Sequence, residues 1–515
     1  MSTGTEPASK DTGPTWLQRL SDPLGTMELN PVLTKDLRQA ARSWTVIGAV
    51  MLLLAIYYFI ALTFLLNSEM ANRSRVNVGP ILFGFIGMSA MFGGYIFIPI
   101  YVGVRTMMER ASVNADLIYI TTMPPQRIAR GKLISGIYLI ILFYSAAVPF
   151  LVFSYLLRGI DLLTVALSIT ITFLLNVLLV QGAITLAVSR IHIILKVLTG
   201  LFVGLPLMIS AIFFTVVSVG GHAFAQIVGA ASIVNEILPI VGTFILNWGL
   251  AMGFLYQAAV AQIAPPSANR SMPFRLYLTG AWLAFTAQFL LWSWHLMDHE
   301  WVATLLLSVG SLVVLGMFLI IGGQDQLSRR VKREIPADPL GRRLAFLFFN
   351  GTLSGMIWML LIGFATLGLV YGFQLIWEQQ PSSRQFLYGD AAEIYLCYVD
   401  MILYAFGYSL FSLWIHRQFF PKRTHRLACV FFLVLTILPA LAVLLISFAV
   451  YQQANELSIP GIPLSVVAIN SSDLITHFAM HFLGAAATAL LGLLINFKWV
   501  RQQFTQFFRL KEQDA

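Results

Sequence analysis

The run WTVIGAVMLLLAIYYFIALTFLL, residues 44–66, holds no charged side chain. An α-helix rises about 1.5 Å per residue, so about 20 apolar residues cross the hydrocarbon core of a bilayer. Residues 44–66 therefore read as a membrane span. Similar runs cover 80–104, 133–157, 162–189, 193–219, 239–263, 274–297, 301–322, 346–376, 393–415, 427–451 and 474–497. The expected fold is all-α and polytopic, with twelve spans and both termini on one side of the membrane.

Composition agrees with that reading. Of 515 residues, 58% are apolar and 11% charged, and the mean hydropathy is +0.80. Ordinary soluble domains hold roughly 45–50% apolar and about 25% charged residues. A water-soluble enzyme, a nucleic-acid-binding domain and a secreted disulfide scaffold are thereby excluded. Cys397 and Cys429 both fall in apolar stretches and read as small embedded side chains. Residues 1–29 are polar, are expected to lack order, and contain no signal-peptide pattern.

Charge sets the expected orientation. With the N-terminus in the cytoplasm, 28 of the 32 Lys and Arg residues fall on the cytoplasmic side, leaving Arg73, Arg75, Arg158 and Arg384 opposite. That asymmetry is the positive-inside pattern. The expected location is the inner (cytoplasmic) membrane.

Immediately before residue 44 lies NPVLTKDLRQAARSW, residues 30–44. Wound as a helix, it gathers Leu33, Leu37, Ala40, Ala41 and Trp44 on one face, with Lys35, Arg38 and Arg42 opposite. This is the pattern of an interfacial helix, apolar side in the acyl region and cations toward anionic headgroups. Asn30 suits the cap and Pro31 the first turn. A plain basic flank that orients the first span is the alternative.

Beyond the second span lies RTMMERASVNADLIYITTMPPQRIARGK, residues 105–132. Such a loop is long for a simple connector. Its Thr122-Met123-Pro124-Pro125 stretch stops one helix and lets another begin directly after it. A short helix held between two breaks can dock on a soluble partner, and a solvated basic loop is the alternative.

The order of these features resembles the permease subunit of an ABC type-2 transporter. The residues that carry the resemblance are Asn30, Pro31, Lys35, Asp36, Leu37 and Arg38, then Glu109, Arg110, Leu117, Thr122, Pro124, Gly131 and Lys132. The resemblance covers roughly 30–263. It implies an elbow helix at 30–43 and a re-entrant element between spans five and six, where the broken apolar segment 220–238 lies. It also implies a coupling helix in the 105–132 loop, seated on a cytoplasmic ABC ATPase subunit. Met123, Pro125, Arg127 and Arg130 would complete that contact, with the prolines shaping the turn and Arg127, Arg130 and Lys132 supplying charge. Arg42 would end the elbow.

Residues 264–497 then read as a second membrane unit of about six spans, followed by a tail at 498–515. One reading of the second unit is a diverged repeat, in which Pro421-Lys422-Arg423-Thr424-His425-Arg426 faintly echoes Pro125-Gln126-Arg127-Ile128-Ala129-Arg130; two basic turns alike by chance are the alternative, and the favoured one. A second permease chain is the other way to complete a pathway. Membrane lipid is the remaining expected partner; nucleic acid is not one.

A phosphate-binding loop needs G-x-x-x-x-G-K-[ST]. The only Gly-Lys pair, Gly131-Lys132, is followed by Leu133, and Gln126 stands where the first glycine belongs. No nucleotide site or enzyme activity is expected in this chain. ATP and Mg²⁺ would reside on the partner.

Polar groups inside spans are costly and mark candidate functional positions. Asp400 leads, with a translocation or proton-relay role or a structural hydrogen bond as its two readings. Asn176, Gln181, Asn247, Gln257 and Gln288 read as interhelical glue. Asp473, His477 and His481 share one helical face, and His295, Asp298, His299 and Glu300 lie at the outer end of span seven. A polar seam suits these better than a metal site, so no metal is expected. An ion-coupled secondary transporter and a non-transport membrane scaffold are the rival functions.

Overall fold

A computed structural model describes residues 30–66, 78–111, 123–157, 160–189, 196–197, 200, 209, 238–265, 268–296, 300–323, 327–336, 338–377, 390–423, 427–437 and 474–508. The described residues are helical, with no strand. They belong to two compact units, residues 1–225 and 226–515.

In the first unit, α1 (Pro31–Ala41) leads through a short break into α2 (Trp44–Leu66). The next span is built from α3 (Val78–Phe92), a π-helical turn (Gly93–Phe97) and α4 (Ile98–Ala111). Then come α5 (Pro125–Leu156) and α6 (Leu162–Val188). Small residues let these helices approach closely, as is common where lipid replaces water as solvent. A Cβ added at Gly136 of α5 would stand 2.5 Å from Val180 of α6, and one added at Gly93 would stand 2.7 Å from Leu53 of α2.

The second unit holds α7 (Leu238–Ile263), α8 (Ser271–Leu296), α9 (Glu300–Ile321), α10 (Arg329–Arg333) and α11 (Pro339–Phe348). It continues with α12 (Thr352–Trp377), α13 (Asp390–Phe419), α14 (Leu427–Ile437), α15 (Leu474–Ile495) and α16 (Phe497–Phe508). Its core is a stripe at four-residue spacing on α9, namely Leu305, Val309, Val313, Met317 and Ile321, packed with Met356 and Met359 of α12 and Ile402 of α13. Hydrogen bonds fasten the same helices: Trp282 Nε1 donates to Thr366 Oγ1 at 2.8 Å, Trp358 Nε1 to Thr279 Oγ1 at 3.1 Å, and Tyr398 OH to the Gly363 carbonyl at 2.9 Å. Helices α13 and α15 meet over glycines: a Cβ at Gly407 would stand 3.0 Å from Thr488, and one at Gly492 3.0 Å from Leu410.

Among the described residues, eight helices are long and apolar enough to cross a membrane, or nine if the bent pair α15–α16 counts as one. The chain is a multi-pass membrane protein. Twelve spans are not all present among the described residues. The expected span 193–219, the segment 220–238 and the terminus 1–29 lie wholly or almost wholly outside them, and of the expected span 427–451 only residues 427–437, helix α14, are described. Helix α8 stands where span seven is expected but is not one of the eight, because Arg275, Gln288, Ser293 and His295 dilute its apolar run.

Two boundaries differ from the sequence reading. The expected span 346–376 is present but begins at Thr352: residues 346–348 close α11, and the chain breaks at 349–351, where Gly351 adopts φ +153°, a conformation that favours glycine. Helix α7, expected to close the first unit at residue 263, belongs to the second. The reason is its packing on α8: Tyr277 OH donates to the Leu250 carbonyl at 2.8 Å, and Phe254 and Phe274 rings lie 5.6 Å apart.

Candidate functional site

The two sequence stretches singled out before and after the first spans meet in the first unit. Asn30 caps α1, its Oδ1 accepting from Val32 N at 3.1 Å, and Pro31 occupies the first turn. Its Nδ2 meanwhile donates to the carbonyl of Arg127 at 2.5 Å. Helix α5 begins at Pro125, so the proline pair does start a helix directly. One asparagine side chain therefore ties together the starts of α1 and α5. Gly131 makes the approach possible, since a Cβ there would stand 2.8 Å from Asn30 Nδ2 and 3.1 Å from Val32 Cβ.

Charges complete the joint. Glu109, near the end of α4, accepts from Lys35 Nζ at 2.9 Å through Oε1 and from Lys132 Nζ at 2.5 Å through Oε2. Lys132 also lies 3.8 Å from Asp36 Oδ2. Arg105 of α4 donates to Gln39 Oε1 of α1 and, at 2.7 Å, to Tyr101 OH. Helices α1, α4 and α5 are thus locked together at the end of the unit where the 112–122 segment emerges. A small cleft beside this network is bounded by Asp36, Tyr101, Arg105, Lys132 and Ser135, and Asp36 Oδ1 and Arg105 Nε have no hydrogen-bond partner among the described residues. Burial pushes the Asp36 carboxyl above the usual carboxylate range, outweighing the attraction of Lys132.

The inward face of α1 differs from the expected stripe. Leu33, Asp36 and Ala40 are buried, Leu37 is half-buried, and Ala41 and Trp44 are exposed. Periodicity grouped the apolar residues correctly but could not reveal that an acid faces inward toward a lysine far along the chain. Lys132 likewise points into the protein, 9% exposed, rather than toward a partner. Pro124, Gln126, Arg127 and Arg130 are exposed beside it, Met123 is half-buried, and Lys35, Arg38 and Arg42 are exposed on the outer side of α1. Leu117 and Thr122 lie outside the described residues, and of Arg110 only the backbone is described.

Within the first unit, the intramembrane candidates on α6 do not join this network. Asn176 and Gln181 are fully buried on α6. Asn176 fits against the π-turn, where a Cβ at Gly94 would stand 2.6 Å from its Nδ2. In the second unit Asp400 is fully buried on α13, and among the described residues neither of its oxygens has a hydrogen-bond partner. One turn on, Tyr404 OH donates to the His481 carbonyl at 3.1 Å. His477 is on α15, its side chain outside the described set, together with Asp473, Asp298 and His299. His295 is exposed at the end of α8.

Sequence reading missed Arg275. It is 6% exposed and fans its guanidinium onto the α11–α12 break, with Nη1 donating to the Leu347 carbonyl at 2.7 Å, the Phe349 carbonyl at 2.9 Å and Ser354 Oγ at 3.0 Å, and Nη2 to the Gly351 carbonyl at 3.0 Å. The signal available was an arginine at the very start of an apolar run, which reads as an orienting charge.

Neither the sequence nor the fold matches a known protein family, a characterised protein or a solved structure.

Proposed function

We propose that the chain is the membrane permease subunit of an ATP-driven exporter of the ABC type-2 kind, in the inner membrane with both termini in the cytoplasm. ATP and Mg²⁺ belong to a separate cytoplasmic ATPase subunit. One observation carries this reading: the start of α5, directly after the 112–124 segment, is fixed to α1 by the Asn30–Arg127 hydrogen bond and to α4 by the Lys132–Glu109 pair. A partner pressing on residues 112–127 then moves three helices as one body, α5 and α4 crossing the membrane and α1 along its surface. A loosely tethered loop would absorb such a push. Exposed Pro124, Gln126, Arg127 and Arg130 supply the contact surface, and Lys132 acts from within by holding the joint. Coupling arises if the partner's two nucleotide states make different contacts there, because only differential contacts shift an equilibrium. Membrane spans of this chain, alone or with those of a second copy, line the pathway.

The test is co-elution in mild detergent of the full chain with the ATPase encoded nearest to it. The wild type is expected to co-elute, and a variant carrying Pro124→Ala, Pro125→Ala and Arg127→Ala to do so weakly. A wild type that elutes alone with every neighbouring ATPase contradicts the proposal. The second reading, an ion-coupled secondary transporter, is favoured by one observation, the fully buried Asp400 carboxylate within a span, which has no hydrogen-bond partner among the described residues.

A further inference from the structure

Three short amphipathic helices of the second unit share one aromatic cluster. Val331 of α10, Ala345, Phe346 and Phe349 in and after α11, and Phe507 of α16 are buried together. Phe346 stacks on Phe504 with ring centres 5.1 Å apart and meets Phe507 edge-on at 5.2 Å, while Arg342 Nη1 donates to the Phe508 carbonyl at 3.1 Å. Ser328 caps α10 and Asp338 caps α11.

Two of these helices run directly into or out of spans. Only residues 349–351 separate α11 from α12, and Asn496 alone separates α15 from α16, which turns away by 66°. Helix α16 therefore does not continue the axis of α15, and α11 is broken from α12 at Gly351, geometries that suit helices lying along a membrane surface.

Its exposed side chains are both basic and greasy. Residues 327–348 and 497–508 hold eight Lys and Arg against two acids, Glu334 and Asp338. Arg329, Arg330, Lys332, Arg333 and Arg343 are exposed, as are Lys498 and Arg501. On the same helices Leu340 is 70% exposed, Leu344, one turn later, 52%, and Phe497 60%. Water suits those apolar groups poorly, and hydrocarbon suits the cations poorly. The boundary between acyl chains and anionic headgroups suits both.

We propose that α10, α11 and α16 form a binding platform for anionic phospholipid headgroups, with the exposed α10 cations as its main electrostatic contact and Leu340, Leu344 and Phe497 dipping into the acyl region. The platform acts whether or not an ATPase docks elsewhere on the chain. A basic side chain at an anionic membrane surface contributes roughly fivefold in binding.

The experiment uses the full-length protein, delipidated in mild detergent and offered phosphatidylglycerol or phosphatidylcholine, with retained lipid read by native mass spectrometry. The wild type is expected to retain phosphatidylglycerol over phosphatidylcholine by about tenfold or more. The R329Q/R330Q/K332Q/R333Q variant, which alters only exposed side chains, is expected to lose most of that preference, keeping only the share of Arg343, Lys498 and Arg501. The R329K/R330K/R333K variant, which keeps the charge, should retain the preference. Parity in the wild type overturns the proposal, as does a preference that the four glutamines leave undiminished. Parity joined to co-elution of a soluble acidic protein that the glutamines abolish assigns the surface to that protein instead, and likewise overturns it.

Discussion

Lys35 and Lys132 grip opposite oxygens of one carboxylate, yet their environments give them different weights. Lys132 and Glu109 are largely shielded, with side-chain exposures of 11% and 18%, whereas the Lys35 side chain is 47% exposed. Lys132→Met leaves Glu109 short of its closer cation in a low-dielectric joint, and the expected cost is on the order of 3 kcal/mol. Lys35→Met is expected to cost under about 1 kcal/mol, as solvated pairs do. Denaturation midpoints in detergent for the two variants check this ranking, and equal losses contradict it. Asp36 gives a prediction in pH. Its folded-state carboxyl titrates above the usual value of 3.8. The stabilising share of its protonated form is therefore complete below that value and is lost as pH rises through the folded value. Asp36→Asn keeps the shape without the charge, so the midpoint of the variant relative to wild type should climb as pH rises from 4 toward 8, and a flat difference would sink the assignment. The Asn30 cap and the Pro125 start were legible because capping is local chemistry. The inward turn of Asp36 was not, because its cation comes from a helix two spans later.

Helix boundaries were legible wherever a run of uncharged residues ended at a cap or a proline, as at Asn30–Pro31 and Pro124–Pro125. The break at 349–351 was hidden, because LFFNGTLSG reads as continuous apolar sequence on either side of Asn350–Gly351. What stabilises the break is Arg275, which satisfies carbonyls that the end of α11 leaves without helical partners. Replacing it by methionine orphans buried carbonyls, so Arg275→Met should cost about 3 kcal/mol or more and open residues 349–351 to limited proteolysis. Protease resistance equal to wild type would refute that role. The start of α11 repeats that of α1. Asp338 caps and Pro339 follows, as Asn30 caps and Pro31 follows, and each helix leads within a few residues into a long span. The joint between α1 and α5 rests on one glycine. Gly131→Val should push α1 away, raising hydrogen exchange across 31–41 while leaving 162–188 as it was. Unchanged protection of 31–41 would show that the joint tolerates a side chain.

At the scale of the whole chain, composition alone identified the bilayer as solvent, and charge patterning supplied an expected orientation. The grouping of helices into units was less legible. The sequence reading closes the first unit at residue 263, yet α7 packs with α8, because side-chain complementarity such as Tyr277 against Gly253 carries no hydropathy signal. The candidate site was half legible: both of its segments stand out in sequence, while their meeting through Asn30, Glu109 and Lys132 depends on three-dimensional packing. The central claim is that this joint transmits work from a separate ATPase into the membrane helices. The most direct measurement is the ATP hydrolysis rate of the partner ATPase in nanodiscs, alone, with the wild-type chain, and with the Pro124→Ala, Pro125→Ala, Arg127→Ala variant. The account predicts a rate that the wild-type chain changes several-fold and the variant leaves near that of the ATPase alone. A rate indifferent to the presence of the chain would contradict it.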